Sequence, residues 1–154
     1  MRESITIRPA EPRDIETITQ FNVAMARETE DKRLSVPVVA RGVQSLLDNP
    51  KYGFYVVAEV EGRVVGSLMV TYEWSDWRCG LFWWIQSVYV RPDFRRRGVF
   101  RRLYEFLKQL ASKDPLVCGF RLYFEGSNDT AQSAYAKLGM TRTSYGIFEQ
   151  HLRR

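Results

Sequence analysis

The chain is poor in cysteine, with two residues, Cys79 and Cys118. Two cysteines make neither a disulfide framework nor a four-ligand zinc site, so no metal is expected and a reducing compartment is the simpler reading. Long hydrophobic runs are missing too. The longest stretch without charge lies between Arg78 and Arg91 and is too short to span a bilayer. Met1–Ser4 has no apolar stretch of the signal-peptide kind. A soluble cytoplasmic protein is therefore expected, with no membrane partner. Histidine is reduced to His151 near the C-terminus, a poor catalytic candidate. Repeats, linkers and low-complexity segments are absent. Disorder is excluded by what is present, which is 45% hydrophobic and 14% aromatic residues spread over 154 positions. That length suits a single domain over 1–154 with a core of its own.

Charge is concentrated. The formal net charge is +5, and the segment Arg91–Arg102 holds six arginines against one acid, Asp93, so the remainder is neutral. A basic segment on a neutral body points to a local anion site rather than to a diffusely basic nucleic-acid surface.

The hydrophobic pattern reads as an alternation of strands and helices. Ser4–Pro9 alternates and predicts a strand. Pro12–Asp14 opens a helix carrying Ile15, Ile18, Phe21, Val23 and Met25, and the charged stretch Ala26–Ser35 reads as loop or helix end. Pro37–Leu47 suggests a second helix, stopped at Asn49-Pro50. Tyr52–Val60 and Arg63–Trp74 flank the tight turn Glu61-Gly62 as a hairpin. Leu81–Val90 is apolar on both faces, as a central strand would be. Phe100–Ala111 is the clearest helix, Leu116–Phe124 a further strand, Ala131–Leu138 a helical stripe ended by Gly139, and Tyr145–Leu152 a last strand. The order predicts an α/β or α+β layered domain.

The sharpest feature joins the central strand to the third helix, Val88-Tyr89-Val90-Arg91-Pro92-Asp93-Phe94-Arg95-Arg96-Arg97-Gly98-Val99-Phe100. A helix start presents unpaired N–H groups and a partial positive charge. Arginines at that end are unfavourable unless an anion sits between them and the N–H groups. Gly98 would let the backbone approach a phosphate closely. The glycine spacing of a dinucleotide fingerprint and the Gly-Lys-Ser/Thr of a P-loop are both missing. The residues alone thus indicate a pyrophosphate-bearing ligand at Arg95–Arg101.

Arg95–Phe100 resembles the Arg/Gln-x-x-Gly-x-Gly/Ala signature of the GNAT superfamily of N-acetyltransferases, preceded by the strand Ser87–Val90 and Arg91-Pro92. A second family motif is similar to Asn128–Met140, with Asn128, Ala134, Tyr135, Gly139 and Met140 in order. Ile5–Ala10 and the hairpin Gly62–Gly66 also fit, so the resemblance covers nearly the whole chain. It departs at Phe100, where the family usually has glycine or alanine.

The resemblance implies a mixed, mostly antiparallel central sheet of about six to seven strands flanked by about four helices. It implies acetyl-CoA as cofactor and a primary amine of a small molecule or peptide as acceptor, attacked directly in a ternary complex. Carried over, Val88, Tyr89 and Val90 would face the thioester and pantetheine. Arg95, Arg96, Arg97, Gly98, Val99, Phe100 and Arg101 would wrap the pyrophosphate. Asn128 would hydrogen-bond the cofactor, or cap a helix. Tyr135 would protonate the departing thiolate, a role open to a phenol of reference pKa near 10. A base is harder to place. Gln86 occupies the strand position where related enzymes often carry a glutamate and cannot act as one, which leaves Glu73 and Asp76. Trp83 and Trp84, adjacent on a strand, should point to opposite faces, one to the core and one to the acceptor side. A homodimer is allowed by family analogy. The competing expectations are a CoA-binding, non-catalytic regulator and an RNA-binding module, the latter disfavoured by charge confined to one turn.

Overall fold

The computed structural model describes residues 4–153; Met1–Glu3, part of the N-terminal stretch discussed above, lie outside the described residues. The chain divides into two compact units, one ending at Tyr123 and one beginning at Phe124.

The first unit holds β1 (Ile5–Pro9), α1 (Ile15–Glu30), α2 (Val36–Asp48), β2 (Gly53–Val60), β3 (Arg63–Ser75), β4 (Gly80–Val90), α3 (Val99–Ser112) and β5 (Val117–Leu122). The strands form one sheet in the order β1-β2-β3-β4-β5. The first three pairings are antiparallel and β4–β5 is parallel, which makes the sheet mixed and mostly antiparallel. It has five strands among the described residues, fewer than the six to seven expected. Hairpins join β2 to β3 and β3 to β4, α1 and α2 lie between the antiparallel β1 and β2, and the parallel pair needs the crossover through α3.

Alternation along the strands sorts the core into two layers. Tyr55 and Val57 pack with Ile18 of α1 and with Val43 and Leu46 of α2. Val56 and Ala58 point the other way and are fully buried, as are Leu103 and Leu107 of α3. The α3 layer also holds an aromatic cluster. Trp83 lies 5.2 Å from Phe54 and 6.1 Å from Phe120, and Phe120 lies 5.5 Å from Tyr104 of α3. Trp83 is thus core. Trp84 faces the α1 side, as expected for neighbours on a strand.

Local chemistry explains the helix ends. Ser35 Oγ accepts from the Val38 N–H to start α2. Asp31 closes α1 in the left-handed conformation, so the charged stretch expected to be loop or helix end holds the end of α1. At its other end, Arg8 on β1 makes a two-pronged ion pair with Asp14, 2.7 and 2.9 Å, and reaches Glu59 on β2 at 2.8 Å.

The second unit contains α4 (Asp129–Lys137). The segment Tyr145–Leu152, expected to be a strand, is not one. Ile147 is 69% and Leu152 86% exposed. β-Branched and aromatic composition makes a strand only where a neighbouring strand completes the hydrogen-bond ladder, and the described ladder stops at β5. Among the described residues no helix is long and apolar enough to cross a membrane, and no cluster of His, Cys, Asp or Glu could hold a metal ion.

Candidate active site

Three features of the backbone meet at the end of β4. The first is a bulge. Met69 pairs with Gln86 and Ser67 with Tyr89, so Ser87 and Val88 together oppose Leu68. Ser87 takes φ 51°, the left-handed conformation of the extra residue in such a bulge. The bulge shifts the alternation, so Gln86 and Tyr89, three apart, both face α1. The second feature is a divergence. The pairing of β4 with β5 ends at Ile85↔Leu122, whereas β4 continues to Val90. Its last residues therefore have no strand neighbour on that side among the described residues. The third is the start of α3. Gly98 is its N-cap with φ 79°, no side chain caps it, and the first turn holds no acid. A Cβ on Gly98 would have nothing within 4 Å. Strained backbone at Ser87 and at Arg96, φ 64°, is the kind that collects at functional positions.

Packing holds this junction rigid. Val99 is buried, and a Cβ on Gly66 of β3 would lie 3.0 Å from its Cγ1 and 3.2 Å from the Tyr89 carbonyl oxygen. Gly66 is what lets α3 begin so close to the sheet. Phe100, the departure from the family pattern, is half-buried and turned toward Tyr104 with ring centroids 6.3 Å apart, leaving its backbone N–H in the first helical turn.

The arginines do not all act alike. Arg91 donates through Nε to the Val64 carbonyl, 3.0 Å, and lies over Phe21 at 5.1 Å. Arg95 donates to the Val90 carbonyl, 2.8 Å, and to Glu28, 2.9 Å. Arg102 ties α3 to the Ile5 carbonyl at 2.9 Å. These three serve the architecture of the unit. Arg96, Arg97 and Arg101 are exposed, with Arg97 over the Phe94 ring at 5.2 Å.

Glu73 and Asp76 sit away from the bulge. Glu73 pairs with Phe82, five residues before Ser87, or roughly 16 Å along the strand. Its carboxylate accepts from Trp84 Nε1, 3.1 Å, and from Arg121, 2.5 Å, and Arg121 in turn covers the Phe82 ring at 3.7 Å. Asp76 is exposed at the hairpin turn. Gln86 donates to Thr71 Oγ1 at 2.6 Å.

A carboxylate that does meet the end of β4 escaped the sequence reading. Glu28, in the last turns of α1, accepts from the Tyr89 hydroxyl at 3.1 Å and from Arg95. Burial pushes the Tyr89 hydroxyl pKa up, and the bond to Glu28 and its charge push the same way against Arg95 and Arg91. The signal lay in the spacing. Ile18, Phe21, Met25 and Glu28 recur at helical intervals, which places an acid on the stripe that faces the sheet.

In the second unit, Asn128 Oδ1 accepts from the Ala131 N–H at 3.0 Å and caps α4. Tyr135 is half-buried on α4, and burial pushes its hydroxyl pKa above the ordinary phenol value. It stays protonated at neutral pH.

A family model described as Acetyltransferase (GNAT) family matches residues 18–140. No curated protein matches the chain. Among solved structures it is similar to a possible acetyltransferase from Clostridium difficile 630, with 43% identity, a TM-score of 0.90 and coverage of 99% of this chain and 100% of that one. It shares its fold with a transcriptional regulator from Bacillus halodurans C-125 (20% identity, TM-score 0.80, coverage 97% and 100%). It also shares it with a predicted acetyltransferase with acetyl-CoA from Clostridium acetobutylicum (15% identity, TM-score 0.77, coverage 96% of each chain).

Proposed function

Because the chain belongs to the acetyltransferase (GNAT) family and is an acyltransferase by that membership, we propose that it moves an acetyl group from acetyl-CoA to a primary amine of a small molecule or peptide. The observation that carries this reading is the bulged, diverging end of β4 running into the uncapped start of α3. A pyrophosphate fits there on chemical grounds. The N–H groups of Val99, Phe100 and Arg101 open a helix with no acid in its first turn, Gly98 leaves open space beside them, and Arg96, Arg97 and Arg101 add positive charge. Arg95 would contribute by keeping Val90 and Glu28 in place. The backbone of Val88 and Tyr89, free of β5 beyond the bulge, would bind the pantetheine arm and stabilise negative charge building on the acetyl oxygen. Val90 offers its N–H side, since its carbonyl is taken by Arg95.

Acetyl-CoA supplies an activated thioester, so no covalent enzyme intermediate is needed. Tyr135 would give its phenolic proton to the leaving sulfur. Asn128 would add a hydrogen bond from its amide N–H while its oxygen caps α4. Glu73 would hold Arg121 and Trp84 in position.

Calorimetric titration of acetyl-CoA into the purified protein tests the reading. Saturable one-to-one binding is expected. Absence of binding by folded, CoA-free protein would overturn it, and binding without turnover on any amine would convert it to a CoA-responsive regulator. Cys79 and Cys118 are exposed free thiols, so a thiol-release assay needs their background subtracted.

A further inference from the structure

The acceptor amine is an ammonium at neutral pH, with a reference pKa near 10, and must lose a proton before its nitrogen can attack. We infer that Glu28 is the group that holds this ammonium beside the β4 bulge and takes its proton; the inference rests on the acetyltransferase reading above.

Position is the first argument. Glu28 touches the tip of Tyr89, two residues beyond Ser87, while Glu73 lies roughly 16 Å back along the strand. Placement on the helix is the second. An acid in the last turns of a helix meets the negative end of the dipole and is disfavoured there. Glu28 stays there because Tyr89 and Arg95 each donate to it. Access is the third, since its side chain is 40% exposed, open enough for a cation to arrive from solvent. The surroundings are the fourth. Gln86 and Thr71 satisfy each other on the same face of the sheet, and Trp84 stacks on Tyr123 at 4.4 Å. That face offers aromatic surface, and the Glu28 carboxylate stands beside the bulge, which suits an alkylammonium rather than an anionic acceptor.

The proton accounting closes. The ammonium carries three hydrogens and the amide product one. The first proton passes to the Glu28 carboxylate and then to solvent. The neutral nitrogen bonds to the acetyl carbon, the carbon–sulfur bond breaks, and the second proton ends on the CoA sulfur. One proton is released per turnover. The groups that meet the Glu28 carboxylate are the Tyr89 hydroxyl and the Arg95 guanidinium.

The test is a two-dimensional NMR titration of n-butylammonium chloride into protein saturated with coenzyme A, with butan-1-ol as the uncharged control of similar shape. We expect saturable shifts of the Glu28 and Tyr89 amides with butylammonium, weakened tenfold or more by Glu28→Gln, and no difference between the two proteins with butan-1-ol. Glu28→Gln keeps an oxygen for the Tyr89 hydroxyl, and its melting temperature should stay within a few degrees of wild type. Butylammonium that leaves those amides unmoved, or binds the variant equally well, overturns the role of Glu28. Failure of coenzyme A itself to shift Val99–Arg101 overturns the acetyltransferase reading, and the proton-transfer role with it.

Discussion

Tyr135 and Asp14 show how burial gives single side chains their consequences. Burial raises the Tyr135 pKa, so the phenol remains a proton donor throughout the neutral range. Tyr135→Phe should lower turnover by about a hundredfold or more, the usual worth of a general acid. Acetyl-CoA affinity measured by calorimetry should stay within threefold. Unchanged turnover would leave Tyr135 a packing residue. Asp14 works through stability. Burial pushes its carboxyl pKa up, but the Arg8 guanidinium, the Glu11 N–H and the neighbouring positive charge pull further, and the net shift is downward. Its contribution is therefore present above the unfolded carboxylate value near 3.9 and lost as the pH falls through the lower folded value. Asp14→Ala should cost about 3 kcal/mol at pH 7, because it takes away the main partner of the half-buried Arg8. Urea unfolding at pH 7 and pH 3 should show the gap to wild type narrowing in acid. Tyr135 was legible in the sequence as a motif residue. Asp14 was legible only as a helix-start residue, because its partner Arg8 also binds Glu59, and Arg8 and Glu59 come together only when β1 pairs with β2.

Among the elements, α3 and β4 frame the proposed site. Gly98 has φ 79° at the N-cap, where a side chain costs roughly 1 kcal/mol. Gly98→Ala should lower stability by about that much and weaken acetyl-CoA binding, read by thermal melting and calorimetry. Gly66→Val is expected to be worse. Its Cβ alone would press on Val99 and on the Tyr89 carbonyl oxygen, and overpacking of this kind costs about 1–3 kcal/mol. Because the added bulk pushes on the α3 start, acetyl-CoA affinity should fall with it. A variant that binds normally would show that the α3 start tolerates displacement. The helix and both hairpin strands were readable from periodicity. The Ser87–Val88 bulge was not, because a bulge is a mismatch between two strands and neither strand encodes it alone.

For the whole molecule, ligand linkage is the expected signature. Acetyl-CoA at a hundredfold its dissociation constant should stabilise the protein by about 2.7 kcal/mol, raising the melting temperature by roughly 5–10 °C for a chain of this size. No shift with saturating ligand would contradict the proposed site. The sequence by itself determined the family, the order of α1 through α4, the strands β1 to β5 and the arginine-rich turn. These depend on local pattern, such as apolar period, turn residues and the Arg95–Phe100 and Asn128–Met140 motifs, which a linear reading preserves. Only the tertiary structure decided which arginines brace the fold and which face solvent, that Glu73 is committed to Arg121, that Tyr145–Leu152 has no ladder to join, and that Glu28 stands over the end of β4. Each of these depends on a partner distant in the chain. Arg95 and Glu28 lie 67 residues apart and Arg121 and Glu73 lie 48 apart, and folding alone brings such pairs to hydrogen-bonding distance.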